Sequence, residues 1–122
     1  MGLFSFRKGA ENIDWVTFND PDQLSEFKEL SFEKPILIFK HSTRCAISSM
    51  AKRRLESEWD KVEEQIIPVY LDLLAYRSIS NHIAKELDVR HESPQVIILK
   101  NGQHIYNASH NNITVDAIKD EL

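Results

Sequence analysis

The sequence is poor in cysteine, glycine and proline, and it has no long hydrophobic run. Its 122 residues include one cysteine, three glycines and four prolines. One cysteine excludes an internal disulfide and a metal site built from cysteines alone, and so little glycine and proline excludes a collagen-like or low-complexity chain. The longest apolar runs, 36–39 and 96–99, are far shorter than the roughly 20 residues of a membrane-spanning helix. We therefore expect no membrane partner.

The charge balance is mildly acidic, with 15 Lys and Arg against 19 Asp and Glu and a formal net charge of −4. This balance argues against nucleic acids as general partners, and the basic run 52–54 is short and is followed by acidic residues. Residues 1–8 carry no hydrophobic signal-peptide core. We therefore expect a cytoplasmic protein, in which a lone thiol stays reduced.

Hydrophobic periodicity predicts strands that alternate with helices along the chain. The strand-like runs are 15–18, 35–40, 66–71, 95–100 and 104–107. The helical segments are 20–30, 46–60, 78–87 and 114–122. Because the second run contains four consecutive apolar residues, 36–39, it is typical of a strand that is buried on both faces of a sheet. Asn101 and Gly102, between the last two runs, predict a β-hairpin.

The order β-α-β-α-β-α-β-β-α predicts a single α/β domain with a mixed central sheet and helices on both faces. The parallel part of the sheet is expected to come from the strand–helix alternation, and the antiparallel part from the terminal hairpin. This domain is assigned to residues 13–122, and residues 1–12 are assigned to an N-terminal lead-in without predicted structure.

Two helices carry more specific predictions. Asp20 is expected to cap the first helix, and Pro21 to occupy its first position. The buried face of the first helix is expected to contain Leu24, Phe27 and Leu30. The buried face of the second helix is expected to contain Ile47, Met50, Ala51, Leu55 and Trp59.

Cys45 lies between the buried strand and the second helix of the prediction. The free amides and the positive end of the dipole at a helix N-terminus favour thiolate over thiol, and Arg44 adds a fixed positive charge. The thiolate is the nucleophilic form of cysteine. A strand-to-helix junction is also the edge where open α/β sheets bind ligands. These features favour a reactive cysteine over the buried, inert cysteine that is common in protein cores.

His41 precedes Cys45 by four residues, which would place two metal ligands on one face if both lay in a helix. His41 is instead predicted to follow the end of a strand, and the five histidines are scattered along the sequence. We therefore predict no metal site.

The segment Thr43-Arg44-Cys45-Ala46-Ile47-Ser48 resembles the Thr-x-Cys-Pro-Ile-Ser motif of the monothiol bacilliredoxins, the YtxJ-type redox proteins of the bacillithiol system. The likeness covers roughly residues 14–121 and includes 39–43 and 93–96. It implies a thioredoxin-like fold with Cys45 as the catalytic nucleophile and a cis peptide bond before Pro94. Two positions depart from known patterns: Ala46 replaces the motif proline, and Ser48 stands where dithiol thioredoxins have their second cysteine.

The resemblance also implies roles for the residues around Cys45. Thr43 and Ser48 would donate hydrogen bonds to the thiolate, while Ser93 and Pro94 would orient the incoming disulfide. Bacillithiol carries a malate with two carboxylates, which suits Arg44 because a guanidinium group binds carboxylates through paired hydrogen bonds. Arg53 is either a second residue of this kind or a solvated surface charge.

From this resemblance we expect a monothiol thiol–disulfide oxidoreductase that removes bacillithiol from S-bacillithiolated proteins. Bacillithiol would be the co-substrate, with no tightly bound cofactor, and a second bacillithiol or a reductase would restore Cys45. The alternative is a non-catalytic thioredoxin-fold module that binds a partner or senses oxidation, which the change to Ala46 slightly favours. The pH dependence of thiol reactivity distinguishes the two, because a module would react like a free cysteine.

Overall fold

The computed structural model describes residues 13–122, so the predicted lead-in at 1–12 lies outside the described residues. Within 13–122 the chain forms five strands, which are β1 Val16–Thr17, β2 Ile36–His41, β3 Ile67–Asp72, β4 Gln95–Lys100 and β5 Gln103–Ser109. The same residues form four α-helices, which are α1 Gln23–Leu30, α2 Ala46–Glu58, α3 Arg77–Leu87 and α4 Val115–Lys119. The chain order of these elements agrees with the order that periodicity predicts.

The five strands form one mixed sheet in the order β1-β3-β2-β4-β5. Strands β1, β3 and β2 run parallel, β4 is antiparallel to β2, and β5 is antiparallel to β4. Ile38 in the central strand pairs with Val69 on one side and Ile97 on the other. All six residues of β2 are buried, which confirms the prediction of a strand covered on both faces.

Side chains alternate between two hydrophobic cores along β2. Leu37 and Phe39 join the core that contains residues of α2 and α4, whereas Ile36 and Ile38 join the core that contains residues of α1 and α3. This alternation follows from the two-residue period of a strand. It confirms the prediction of helices on both faces, and it places the carboxyl end of β2 between the two layers.

The predicted hairpin joins β4 to β5 through Asn101 and Gly102. Both residues have a positive φ, 54° and 79° respectively, as the common two-residue hairpin turn requires. Ser31 holds this turn from the end of α1, because its carbonyl accepts from the Asn101 amide at 3.0 Å and its hydroxyl accepts from the Gly102 amide at 2.7 Å. The turn therefore ties the sheet to the α1 layer.

Helix α1 begins at Gln23, two residues later than the predicted first position at Pro21. The Asp20 carboxylate accepts from the Asp22 amide at 2.8 Å, and the Gln23 side chain accepts from the amides of Asn19 and Asp20. These bonds form a turn that replaces the predicted cap. Leu24 and Phe27 are buried as expected, but Leu30 is exposed.

The buried face of α2 also differs from the prediction. Ile47 and Met50 are about half exposed, at 51% and 52%, whereas Ser48 is fully buried with Ala51 and Leu55. The buried face is therefore rotated by one residue in the first turn. The physical reason is that the Ser48 hydroxyl is hydrogen-bonded inside the protein, which allows this polar residue to be buried. Ser48 therefore faces the core, where hydrophobicity predicts its neighbour Ile47.

Candidate active site at Cys45

Cys45 occupies the position immediately before the first residue of α2. Its backbone is extended, with φ −109° and ψ 122°, and its carbonyl accepts the Ser49 amide at 3.0 Å. Its thiol is free and half-buried. The first turn of α2, residues 46–49, contains no acidic side chain, so the positive end of the helix faces no local negative charge. Cys45 therefore stands at the amino-terminal end of α2, where backbone amides have no partner within the helix.

The loop from Ser42 to Arg44 connects β2 to Cys45. The Ser42 carbonyl accepts from the Cys45 amide at 3.2 Å, which turns the chain sharply between strand and helix. Thr43 and Arg44 are exposed. The Arg44 side chain is therefore accessible from solvent, while the turn fixes where the thiol stands.

Ser48 is hydrogen-bonded on the inner side of this turn. Its Oγ atom accepts from the Ser42 amide at 3.0 Å and lies 2.6 Å from Nδ1 of His41. The sequence assigned Ser48 to the thiolate alone. In the structure its oxygen contacts the Ser42 amide and His41 instead, and among the described residues no hydrogen bond joins it to the sulfur of Cys45.

His41 is 4% exposed and is held between two aromatic rings. Its ring stacks on Phe39 at a centroid distance of 5.4 Å and meets Tyr70 edge-on at 5.6 Å. Burial lowers the pKa of His41, and the charge of Lys52 lowers it further, although Asp72 and the contact with Ser48 act in the opposite direction. His41 is therefore neutral at pH 7.

A groove of about 380 Å³ opens beside the turn. Its lining comes from the end of β2, the turn, α2 and β3, and consists of His41, Thr43, Ser49, Lys52, Arg53, Glu56 and Tyr70. Lys52 is paired with Glu56 at 2.5 Å, whereas Arg53 is exposed. The groove thus offers hydroxyl groups and one solvent-facing guanidinium, which are suitable groups for an anionic, polar ligand. The sequence identified Arg53 but gave no signal for Tyr70 or Ser49.

Ser93 and Pro94 lie at the same edge of the sheet as Cys45. The peptide bond between them is cis, as the resemblance implies. Gln95 pairs with Lys40 in the antiparallel register of β4 and β2, which places the loop before β4 beside the carboxyl end of β2. The structure therefore brings all the predicted site residues, at 43–45, 48 and 93–94, to one edge of the sheet.

Lys40 lies next to His41 in β2 but on the opposite face. It is fully buried, and burial lowers its pKa from 10.5 to about 8. The alternation of β2 directs it toward the layer of α1 and α3, and its Nζ atom lies 3.3 Å from Nδ1 of His91 in the loop between α3 and β4.

Within residues 13–122, the structure contains no group of three or more His, Cys, Asp or Glu side chains that could hold a metal ion. His41 and Cys45 do not share a helix face, because His41 belongs to β2 and its Nδ1 atom is directed at Ser48. In the same part of the chain, every helix is too short or too polar to cross a membrane.

Solved structures of known proteins share this fold. An oxidoreductase with a thioredoxin fold matches with a TM-score of 0.74 and 28% identity, over 86% of this chain and 90% of that protein. A thioredoxin from Malassezia sympodialis matches with a TM-score of 0.67 and 18% identity, over 88% of this chain and 87% of that one. Mitochondrial thioredoxin 3 from Saccharomyces cerevisiae matches with a TM-score of 0.63 and 22% identity, over 88% and 92%.

The family comparison covers almost the whole described domain. Residues 16–118 match the family model described as monothiol bacilliredoxin BrxC. This range includes the turn with Cys45, the groove and the loop with the cis peptide bond. The chain therefore belongs to the monothiol bacilliredoxin BrxC family and is a redox thiol protein with a thioredoxin fold.

Proposed function

We propose that Cys45 removes bacillithiol from S-bacillithiolated proteins by a monothiol exchange in the cytoplasm. The observation that carries this proposal is a single, half-buried thiol at the start of α2 in a chain of this family. The chain has one cysteine, so a cycle through an internal disulfide is excluded. Every step must pass through a mixed disulfide with another molecule.

The reaction needs two exchanges. The Cys45 thiolate attacks the bacillithiol sulfur of the mixed disulfide, the new bond joins Cys45 to bacillithiol, and the client leaves as a thiolate that takes a proton from water. A second bacillithiol thiolate then attacks the bacillithiol sulfur on Cys45 and forms bacillithiol disulfide, which releases Cys45. A reductase that supplies two electrons is the other route for this second step.

In this proposal the small thiol binds in the groove beside the turn. Thr43 lines it two residues before Cys45, and Arg53 and Lys52 line it from α2. A carboxylate-bearing thiol that reaches Cys45 from this side would place its anionic arm near Arg53, with Arg44 on the other flank. Ser93 and Pro94, across the sheet edge, would orient the disulfide of the client.

The exposed apolar residues of α2 support a second candidate function. Ile47 and Met50 follow Cys45 closely and are about half exposed, and exposed apolar side chains near a thiol suit the docking of a protein partner. Together with Ala46 in place of the motif proline, they favour a module that binds or senses without turnover as the alternative to exchange.

The decisive experiment is intact-mass spectrometry after the reduced protein is mixed with a bacillithiolated client, with Cys45→Ser as the control. Exchange predicts that the client loses one bacillithiol mass and that the wild-type protein gains it on Cys45. If the client keeps its adduct while iodoacetamide still modifies Cys45, the exchange function is wrong and the binding or sensing module replaces it.

A further inference from the structure

The loop 88–94, which joins α3 to β4 and contains the cis peptide bond, is anchored to the interior through His91. The Nδ1 atom of His91 lies 3.3 Å from Nζ of Lys40 and 3.1 Å from the hydroxyl of Ser80. Lys40 belongs to β2 and Ser80 to α3, and both side chains are fully buried. One imidazole nitrogen therefore connects the loop to the central strand and to a helix.

Gln95 provides a second anchor for the same loop. It is the first residue of β4 and pairs with Lys40 in the antiparallel register, so the two side chains lie on the same face of the sheet. Its Nε2 atom donates to the Arg90 carbonyl at 2.9 Å, whereas its Oε1 atom is buried with no hydrogen-bond partner among the described residues. Gln95 thus holds the loop although one of its own polar atoms is left unsatisfied.

The burial of Lys40 costs free energy. A buried ammonium group loses its hydration, and within residues 13–122 no carboxylate forms an ion pair with it. Burial accordingly lowers the pKa of Lys40 from 10.5 to about 8. An apolar side chain of similar length would be buried here without that cost. Stability therefore does not account for a lysine at this position, and the contact that Lys40 makes in return is with His91 in the loop.

The loop leaves the backbone of Ser93 open. Ser93 is half-buried, and among the described residues it makes no hydrogen bond or ion pair. On one side of it, the Pro94 carbonyl accepts from the His110 amide at 3.1 Å; on the other side, His91 is held as described above. The chain is thus fixed before and after Ser93, while its own amide and carbonyl are available to pair with an extended peptide.

We propose that Lys40 is a positioning residue: it holds His91 so that the loop presents the backbone of Ser93 to the peptide around the client's disulfide. The role rests on the proposed function, in which this loop orients the disulfide of the client. Lys40, Ser80 and Gln95 are buried, so they act through the loop and do not touch the client.

A coloured leaving group tests this role without bacillithiol. The probe is a short, extended peptide whose single cysteine forms a mixed disulfide with nitrothiobenzoate. The Cys45 thiolate attacks the peptide sulfur, a disulfide forms between Cys45 and the peptide, and nitrothiobenzoate leaves as a coloured thiolate. Rates measured over a range of peptide concentrations separate the half-saturating concentration, which reports docking of the peptide, from the maximal rate, which reports exchange.

Lys40→Met should raise the half-saturating peptide concentration about threefold to tenfold, because a displaced loop loses a backbone hydrogen bond to the peptide. Its maximal rate should change less than about twofold, as should its rate with dithiobis(nitrobenzoate), a small disulfide that has no peptide backbone. Lys85→Met, on the exposed surface of α3, is the matched control and should leave all three quantities unchanged. Urea unfolding at pH 7 shows whether Lys40→Met is as stable as the wild type, which separates displacement of the loop from a general loss of structure.

Two variants of His91 test whether Lys40 acts through this residue. His91→Leu removes the acceptor and should behave like Lys40→Met, and the double variant should behave like either single variant, because both remove one interaction. His91→Asn keeps an acceptor near the position of Nδ1 and should stay within about twofold of the wild type. Additive effects of Lys40→Met and His91→Leu would overturn the proposal. So would a half-saturating concentration that is the same in Lys40→Met and the wild type, or an equal loss of rate with dithiobis(nitrobenzoate).

Failure of this proposal can be told apart from failure of the proposed function. The peptide probe contains no bacillithiol, so the expected split in a protein that transfers no bacillithiol would retain the positioning role toward peptide disulfides and overturn the exchange function. Transfer of bacillithiol from a client that Lys40→Met leaves unchanged at every client concentration would retain the exchange function and overturn the positioning role.

Discussion

The Nζ atom of Lys40 lies 3.3 Å from Nδ1 of His91, and the Ser80 hydroxyl lies 3.1 Å from the same nitrogen. A lysine ammonium can only donate, so Nδ1 of His91 is the bare acceptor and the ring proton is on Nε2. This contact connects β2 to the loop that precedes Pro94. Burial, Lys40 and Arg77 all lower the pKa of His91, while Glu92 raises it.

Replacement of Lys40 by methionine should leave the protein as stable at pH 7 or make it more stable. Burial lowers the pKa of Lys40 to about 8 from 10.5, so the folded state disfavours the ammonium. Between these values the unfolded chain binds more protons than the folded chain, and the free energy of unfolding rises with pH. That gain should be present in the wild type and absent in Lys40→Met.

Urea unfolding at pH 7 and pH 9.5 tests this prediction, with Lys85→Met on the exposed surface of α3 as the control. The change in the free energy of unfolding between the two pH values is compared in the wild type and in Lys40→Met. The difference between the two changes is the contribution of Lys40, because the other groups that titrate in this range are common to both proteins. A variant that gains as much stability as the wild type between the two pH values would contradict the burial argument.

Acidification below pH 6.5 should destabilise the protein. Burial is the first cause of a lowered pKa in His41, His91 and His104, so below 6.5 the unfolded chain takes up protons that the folded chain does not. The free energy of unfolding therefore falls as the pH falls. Urea midpoints at pH 7 and pH 5.5 measure the fall, and His104→Gln should make it smaller. If the urea midpoint falls equally in His104→Gln and in the wild type, His104 does not contribute to the loss of stability.

The fold and the location of the thiol could be predicted from the sequence because they depend on hydrophobic period and turn chemistry. Residues 36–39 indicate a buried strand, and Asn101 with Gly102 indicates a hairpin; both agree with the structure. The start of α1 could not be predicted to the residue, because the side chains of Asp20 and Gln23 bond to backbone amides in a turn that precedes the regular helix.

The burial of polar residues on the inner side of the site could not be predicted from the sequence. Hydrophobic patterning treats Lys40 and Ser48 as surface residues, yet both are fully buried. Their burial depends on partners that are distant in sequence, His91 for Lys40 and His41 for Ser48. Such pairs follow from tertiary packing, so no local pattern reveals them.

Arg54 should be important for stability although it is near the site. Its Nε atom donates to the Ile113 carbonyl at 3.1 Å, and its Nη2 atom donates to the His110 carbonyl at 2.8 Å. These bonds join α2 to the turn before α4. Arg54→Ala should lower the free energy of unfolding by about 1–3 kcal/mol, measured by urea unfolding. Arg53→Ala, the exposed neighbour, is the control and should change stability by less than about 0.5 kcal/mol.

The hairpin turn should not tolerate a side chain at Gly102. Its φ of 79° is in the left-handed region, and an added Cβ would lie 2.9 Å from Cζ of Phe32. Gly102→Ala should therefore lower the free energy of unfolding by more than about 1 kcal/mol. Asn101→Gly, at a φ of 54°, is the matched control with little expected change. Equal stability of Gly102→Ala and wild type would show that Phe32 and the turn relax without cost.

Arg53 should select for an anionic thiol in the reduction of the Cys45 adduct, if the groove holds the small thiol as proposed. Arg53 is exposed in the lining of that groove, while Lys52 is already paired with Glu56. Arg53→Gln should raise the bacillithiol concentration needed for half-maximal release about threefold to tenfold, because one charge-assisted contact is lost. The maximal rate should change little, since Arg53 does not touch the reacting sulfur.

Mass spectrometry of the adduct over time measures both quantities, and 2-mercaptoethanol, which has no carboxylate, is the control reductant. An equal loss with both thiols would show that Arg53 supports the site in general and does not recognise the carboxylates.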